Sequence, residues 1–149
     1  MNRADIRYRD DYTPNLEEAR SLYRDSTLGE RRPVDDDVRF AAMLANSNLT
    51  ITAWHGDLLV GISRALSDLC WSTYLADLAV RVSHQRHGIG KELIRRTQAA
   101  APQANLILLA APAAERYYPH IGFSHIPQAW WLRVGHCVTA SSEPAESMP

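Results

Sequence analysis

Little in this chain points to a membrane, a nucleic acid or a metal. The 16 basic and 17 acidic residues leave a formal net charge of -1, so no overall field favours a polyanion or an anionic lipid surface. No apolar run approaches the roughly 20 residues needed to span a bilayer. The first residues, MNRADIRYRDDY, are charged and lack the apolar segment of a signal peptide. Only two cysteines occur, Cys70 and Cys137, and they form neither a ligand pattern nor a disulfide framework. A reducing cytoplasm is the expected compartment. His84, His120, His125 and His136 show no triad or ligand spacing, His55 sits in a turn, and no metal site is expected. There is no internal repeat. What remains is an ordinary globular composition, 46% hydrophobic and 22% charged, over 149 residues. That length suffices for one domain with a core.

One domain is expected over residues 1–137, with a small, polar tail at 138–149. Ile6 to Tyr8 begin a first strand. Thr13-Pro14 reads as a helix start, Thr as N-cap and Pro at the first helical position. Leu16, Ala19, Leu22 and Tyr23 then recur at helical spacing. After a polar loop at 26–37, Asp35 to Asp37 cap a second helix with Val38, Ala41, Ala42 and Ala45 as its stripe. The period then changes. LTITAW (49–54), LLVGISRAL (58–66) and STYLADLAVRV (72–82) read as strands, with HGD (55–57) as a hairpin turn. A helix is expected from Ile89 to about Ala101, ended by Pro102. NLILLAA (105–111) reads as a strand buried on both faces. A short helical piece at 112–122 and one or two strands within 123–134 complete a mixed α/β sheet.

The segment HQRHGIGKEL (84–93) leads from strand to helix through two glycines. A helix N-terminus offers free amides and partial positive charge, and glycine lets that backbone approach an anion. Together these make a phosphate site, with Arg86, His87 and Lys91 adding charge. Two common templates fail. A P-loop needs Gly where Gln85 stands and Ser or Thr where Glu92 stands. A dinucleotide fingerprint needs a third Gly where Leu93 stands.

A third template fits. Gln85-x-x-Gly88-x-Gly90 resembles the [QR]-x-x-G-x-[GA] motif of the GNAT family of N-acetyltransferases. The segment AERYYPHIGF (114–123) resembles the family's A-x-x-[FY]-Y-x-x-x-G-F signature. The preceding run YLADLAVRV (74–82) looks like its fourth strand, and the element order over about 3–134 agrees. The resemblance implies a GNAT fold: a mixed, mostly antiparallel central sheet with helices on both faces and splayed central strands. It implies acetyl-CoA as donor, with its pyrophosphate cradled by the amides of Arg86, His87, Gly88, Ile89, Gly90 and Lys91. Leu78, Ala79 and Val80 would pair with the pantetheine arm, in a gap between strands 74–82 and 105–111. Many members carry Asn where Ala111 stands here, so one side-chain contact to the cofactor is missing or supplied elsewhere.

The same resemblance makes Tyr118 the acid that protonates the departing thiolate, and Tyr117 its packing neighbour. Asp77 is polar in an otherwise apolar run. Burial would raise its pKa towards that of a useful base; equally, it would pair with a backbone group or an arginine. Glu30, in the loop where the family commonly builds its acceptor pocket, is a second base candidate. Trp71 and Tyr74 would line that pocket or pack in the core. The expected activity is acetyl transfer to a primary amine of a small, amino-acid-like or arylalkyl molecule. The alternatives are a protein or peptide acceptor, or a CoA-binding sensor without catalysis. A homodimer is the expected assembly; no nucleic-acid or membrane partner is expected.

Overall fold

The computed structural model describes residue 2 and residues 5–139. Of the expected tail, only Val138 and Thr139 fall within them. The chain forms two compact units, Met1–Ala113 and Ala114–Pro149.

The first unit is a five-stranded sheet in the order β1-β2-β3-β4-β5. The strands are β1 (Ile6–Arg9), β2 (Leu49–His55), β3 (Leu58–Ser67), β4 (Ser72–Val80) and β5 (Asn105–Leu108). The first four pair antiparallel and β5 joins β4 in parallel. Helices α1 (Leu16–Asp25), α2 (Asp37–Ala45) and α3 (Ile89–Ala100) complete it. Gly61 and Ile62 show how the layers form, because successive strand residues face opposite sides. A Cβ on Gly61 would meet Leu93 and Ile89 of α3 at 3.1 and 3.2 Å. Ile62 instead joins the core made by Leu22 and Tyr23 of α1 and Phe40 and Leu44 of α2. Helices therefore cover both faces.

Several local expectations need correction. Helix α1 is capped by Asn15, not Thr13. Asn15 accepts from the Glu18 amide at 2.9 Å while Glu18 reaches back to the Asn15 amide at 3.0 Å, a reciprocal capping box. The buried face of α2 is Phe40 and Leu44, and Val38 is 83% exposed. Larger side chains half a turn away fill the core better than the alanine stripe. β5 is only four residues long and half-exposed, not buried on both faces, since it has a ladder partner on one edge only among the described residues. The β3–β4 turn is tied by Asp68, whose carboxylate accepts the amides of Cys70, Trp71 and Ser72 at 2.7–3.0 Å. Those amides hold its pKa down at about 2.

The second unit contains a short helix, α4 (Tyr117–His120). No strand forms among described residues 123–139, contrary to expectation. Pro127 lacks the amide a ladder needs, and Trp130 and Trp131 are 97% and 70% exposed.

Candidate active site

The β4–β5 ladder runs from Ser72↔Asn105 to Leu75↔Leu108 and stops, while β4 continues to Val80. From Ala76 onward, no described strand pairs with β4 on the β5 side. Such an edge exposes amides and carbonyls that an extended ligand can satisfy. Leu78 and Val80 are half-buried on the α3 side: a Cβ on Gly90 would find them at 4.0 and 3.8 Å. Ala79 is 3% exposed and belongs to the opposite core, so only its backbone is available to a ligand.

At the C-terminal end of β4 the chain is anchored by Arg81. Its Nε donates to the Leu59 carbonyl at 2.7 Å, Nη2 donates to Ser21 Oγ at 3.0 Å, and Nη1 pairs with Asp25. Gln85 then folds back, its Nε2 donating to the Val80 carbonyl at 2.9 Å. This explains the glutamine physically: it closes the loop onto the strand, and it engages one acceptor of the expected pantetheine edge. Arg86 and Gly88 both take the left-handed conformation, with φ of 63° and 84°. Backbone of this kind forms concave groups of amides suited to anions. Gly88 is the N-cap of α3, so Ile89, Gly90 and Lys91 are its first-turn residues, whose amides lack intrahelical acceptors. Arg86, His87 and Lys91 are exposed around them. The six residues expected from the motif are thus brought together, and a pyrophosphate fits this arrangement. Beside it, His55 Nδ1 and His84 Nε2 lie 3.1 Å apart; burial, then His55, Arg81 and His87, lower the His84 pKa.

Asp77 lies on the α1 side of β4 with its side chain fully buried. Its Oδ2 accepts from the Tyr23 hydroxyl at 2.7 Å and from Arg64 Nε at 2.6 Å. Its Oδ1 accepts from Arg32 Nε at 2.6 Å. Desolvation pushes its pKa up, but hydrogen bonds and charge from Arg64, with those of Tyr23 and Arg32, outweigh it, and the carboxyl sits below its ordinary value. The expected rise is therefore corrected: two guanidinium groups win over burial, and Asp77 takes the ion-paired alternative. Burial, and then the Asp77 charge, raise Tyr23 far above the usual phenol range. Spacing in the sequence could not name these partners. A lone Asp in an apolar run signals that a partner must exist; Tyr23, Arg32 and Arg64 are separated from it by 54, 45 and 13 positions.

Glu30 lies within a 3-10 turn, Leu28–Arg31, and is exposed. Trp71 and Tyr74 are 71% and 42% exposed, so neither is a core residue. Tyr118 belongs to the second unit. Its ring meets those of Tyr117 and Phe123 edge to face at 5.5 and 5.4 Å. Burial, and then Tyr117, raise its pKa, so it is protonated at neutral pH. Gly122, with φ of 101°, turns the chain so that the Phe123 amide donates to the Tyr118 carbonyl at 3.1 Å. Among the described residues, no cluster of three or more His, Cys, Asp or Glu is arranged to hold a metal, and no helix is long and apolar enough to cross a membrane.

A groove of about 320 Å³ between β1 and the end of α3 is lined by Tyr8, Arg9, Arg95 and Arg96. Both arginines of α3 pair with Glu92, and the groove lies at the opposite end of α3 from the glycine loop.

Comparison with known proteins gives the family and the fold. The family model described as acetyltransferase (GNAT) domain matches residues 31–130. A GNAT-family acetyltransferase from Streptococcus pneumoniae superposes with a TM-score of 0.68 at 23% identity, covering 87% of this chain and 98% of that one. A Xanthomonas campestris protein described as belonging to the same family gives 0.66 at 21%, covering 86% and 92%. An aminoglycoside N-acetyltransferase in complex with CoA gives 0.62 at 20%, covering 87% and 93%. No curated protein matches the sequence.

Proposed function

The chain belongs to the GNAT acetyltransferase family, and from that premise we propose that it moves the acetyl group of acetyl-CoA directly to the primary amine of a small molecule. The observation that carries this reading is the continuity of two features. The loop at 86–91 follows the unpaired edge of β4 after a short turn, and Gln85, donating to the Val80 carbonyl, folds it back onto the end of that edge. A pyrophosphate on the loop amides leaves an attached pantetheine arm to run back along Val80 and Leu78.

The bound thioester supplies an activated acyl carbon. The amine nitrogen forms a bond to that carbon as the carbon–sulfur bond breaks. Before it attacks, the amine gives its ammonium proton to water or to Glu30, the exposed carboxylate of the α1–α2 loop, and the second N–H proton, released as the amide forms, replaces the one Tyr118 gives up. Tyr118, protonated at neutral pH, gives its proton or a hydrogen bond to the departing thiolate; this role rests on the family signature around it. We read Asp77 as a positioning group in place of a base. A carboxylate held ionised by two arginines is a weak proton acceptor at neutral pH. Its bonds tie α1, the α1–α2 loop and β3 to the stretch of β4 where the chemistry would occur.

Calorimetry with acetyl-CoA, followed by a thiol-release assay over a panel of amines, tests this function. Binding with turnover of at least one primary amine is expected. Binding without turnover would make the chain a CoA sensor, and absence of binding would sink both ideas.

A further inference from the structure

The cluster around Asp77 carries more positive than negative charge. Arg32 and Arg64 are permanent cations, and Asp77 is the one carboxylate between them. Arg64 is nearly buried, with its side chain 8% exposed, whereas that of Arg32 is 26% exposed. The surplus charge therefore meets solvent at Arg32. Its guanidinium has five N–H donors. Nε donates to Asp77 Oδ1 at 2.6 Å, Nη2 donates to the Ala76 carbonyl at 2.9 Å, and Nη1 donates to the Arg31 carbonyl at 2.8 Å. Two donors are left, on a fork that three bonds hold still.

Its position gives those donors a purpose. Ala76 follows Leu75, the last β4 residue paired with β5. It also sits at a bulge, since Arg64 pairs with Asp77 and Ala65 with Leu75. The Arg32 fork thus lies where β4 and β5 part. If the donor's phosphates lie on residues 86–91 and its arm runs back along Val80 and Leu78, the thioester arrives beside Ala76, at about 3.3 Å per strand residue. The acceptor must then approach next to Arg32.

Resting on the transferase reading above, we propose that Arg32 is a specificity-determining residue and that the acceptor is an amine bearing a carboxylate, such as an α-amino acid. The paired fork suits a planar anion. The same surplus charge disfavours polycationic amines, including the aminoglycosides of a structural neighbour's name.

The test compares matched amines in the thiol-release assay: phenylalanine, its carboxamide, phenethylamine and a polyamine. Rates are referred to the free-amine fraction, because the amine pKa differs among these compounds: it falls when the carboxylate becomes a carboxamide and rises in phenethylamine. The amino acid is expected to have a kcat/KM about tenfold or more above its carboxamide and phenethylamine, as a charge-assisted bond allows. In Arg32→Met this preference is expected to collapse, mostly through KM, with acetyl-CoA affinity retained; Arg32→Lys is expected to keep part of it. Equal rates for acid and carboxamide, or preference for the polyamine, would overturn the inference and leave the transferase reading standing. The wild-type comparison decides this even if Arg32→Met does not fold. Turnover of none of the amines would overturn this inference together with the transferase reading.

Discussion

Replacing Asp77 by Asn is the most informative single change. The side chain keeps its size but loses its charge, and its amide presents N–H donors to groups that already donate. Arg64, 8% exposed, would be left charged and poorly paired beside the buried Tyr23 hydroxyl. Removing one partner of a buried ion pair in this way costs about 3–5 kcal/mol. For a domain of this size that lowers Tm by roughly 6–20 °C. The assay is urea unfolding and calorimetry of both proteins at neutral pH. An unchanged m-value would show that the same surface is exposed in each. The pH dependence has a definite sign. The folded pKa of Asp77 is depressed, so its contribution is complete above the unfolded value of about 3.9 and is lost as pH falls through the folded value. The gap between wild type and Asp77→Asn should therefore be widest near neutrality and narrow below about pH 4. A variant within about 1 kcal/mol of wild type at neutral pH would refute the reasoning, because a carboxyl that is neutral when folded tolerates Asn.

Other changes have separate readouts. Tyr118→Phe is expected to lower kcat by about a hundredfold or more, the range of a lost general acid, while acetyl-CoA affinity by calorimetry stays within a few-fold. Equal turnover would remove Tyr118 from the acid role. Gly88→Ala forces a side chain into the left-handed region at φ 84°, a strain of about 1–2 kcal/mol; acetyl-CoA affinity should fall more than in Lys91→Ala if amides hold the pyrophosphate. Asn15→Ala removes the capping box of α1 and should lose about 1 kcal/mol in urea unfolding, with no change in acetyl-CoA affinity.

How far the site could be read in advance depended on how local its causes are. Gln85, Gly88 and Gly90 lie within six positions, and the start of α3 at Ile89 followed from that spacing; the left-handed φ of Gly88 came with the structure. The hairpin at Gly56 was equally local; of the α3 face expected at Ile89, Leu93, Ile94, Thr97 and Ala100, all are buried but Ala100, which is exposed at the helix end. Expectations that needed knowledge of neighbours fared worse. The α2 stripe chose alanines because their periodicity fits a helix, yet only packing decides that Phe40 and Leu44 face the core. The run at 105–111 looked like a doubly covered strand, but apolar composition does not show whether a second ladder partner exists.

By itself, then, the sequence marked the proposed donor half of the site, because a loop whose amides suit a phosphate is encoded by a few adjacent residues. It also marked Asp77 as a buried polar group in need of a partner. Only the tertiary structure decided what that partner is. Folding brings Tyr23, Arg32 and Arg64 onto one carboxylate, and the hydrogen bonds and charge of Arg64, with the Tyr23 hydrogen bond and the Arg32 charge, reverse the pKa shift that burial alone would cause. The same convergence sets Arg32 at the point where β4 and β5 separate. Electrostatic interaction depends on distance in space and not on separation along the chain.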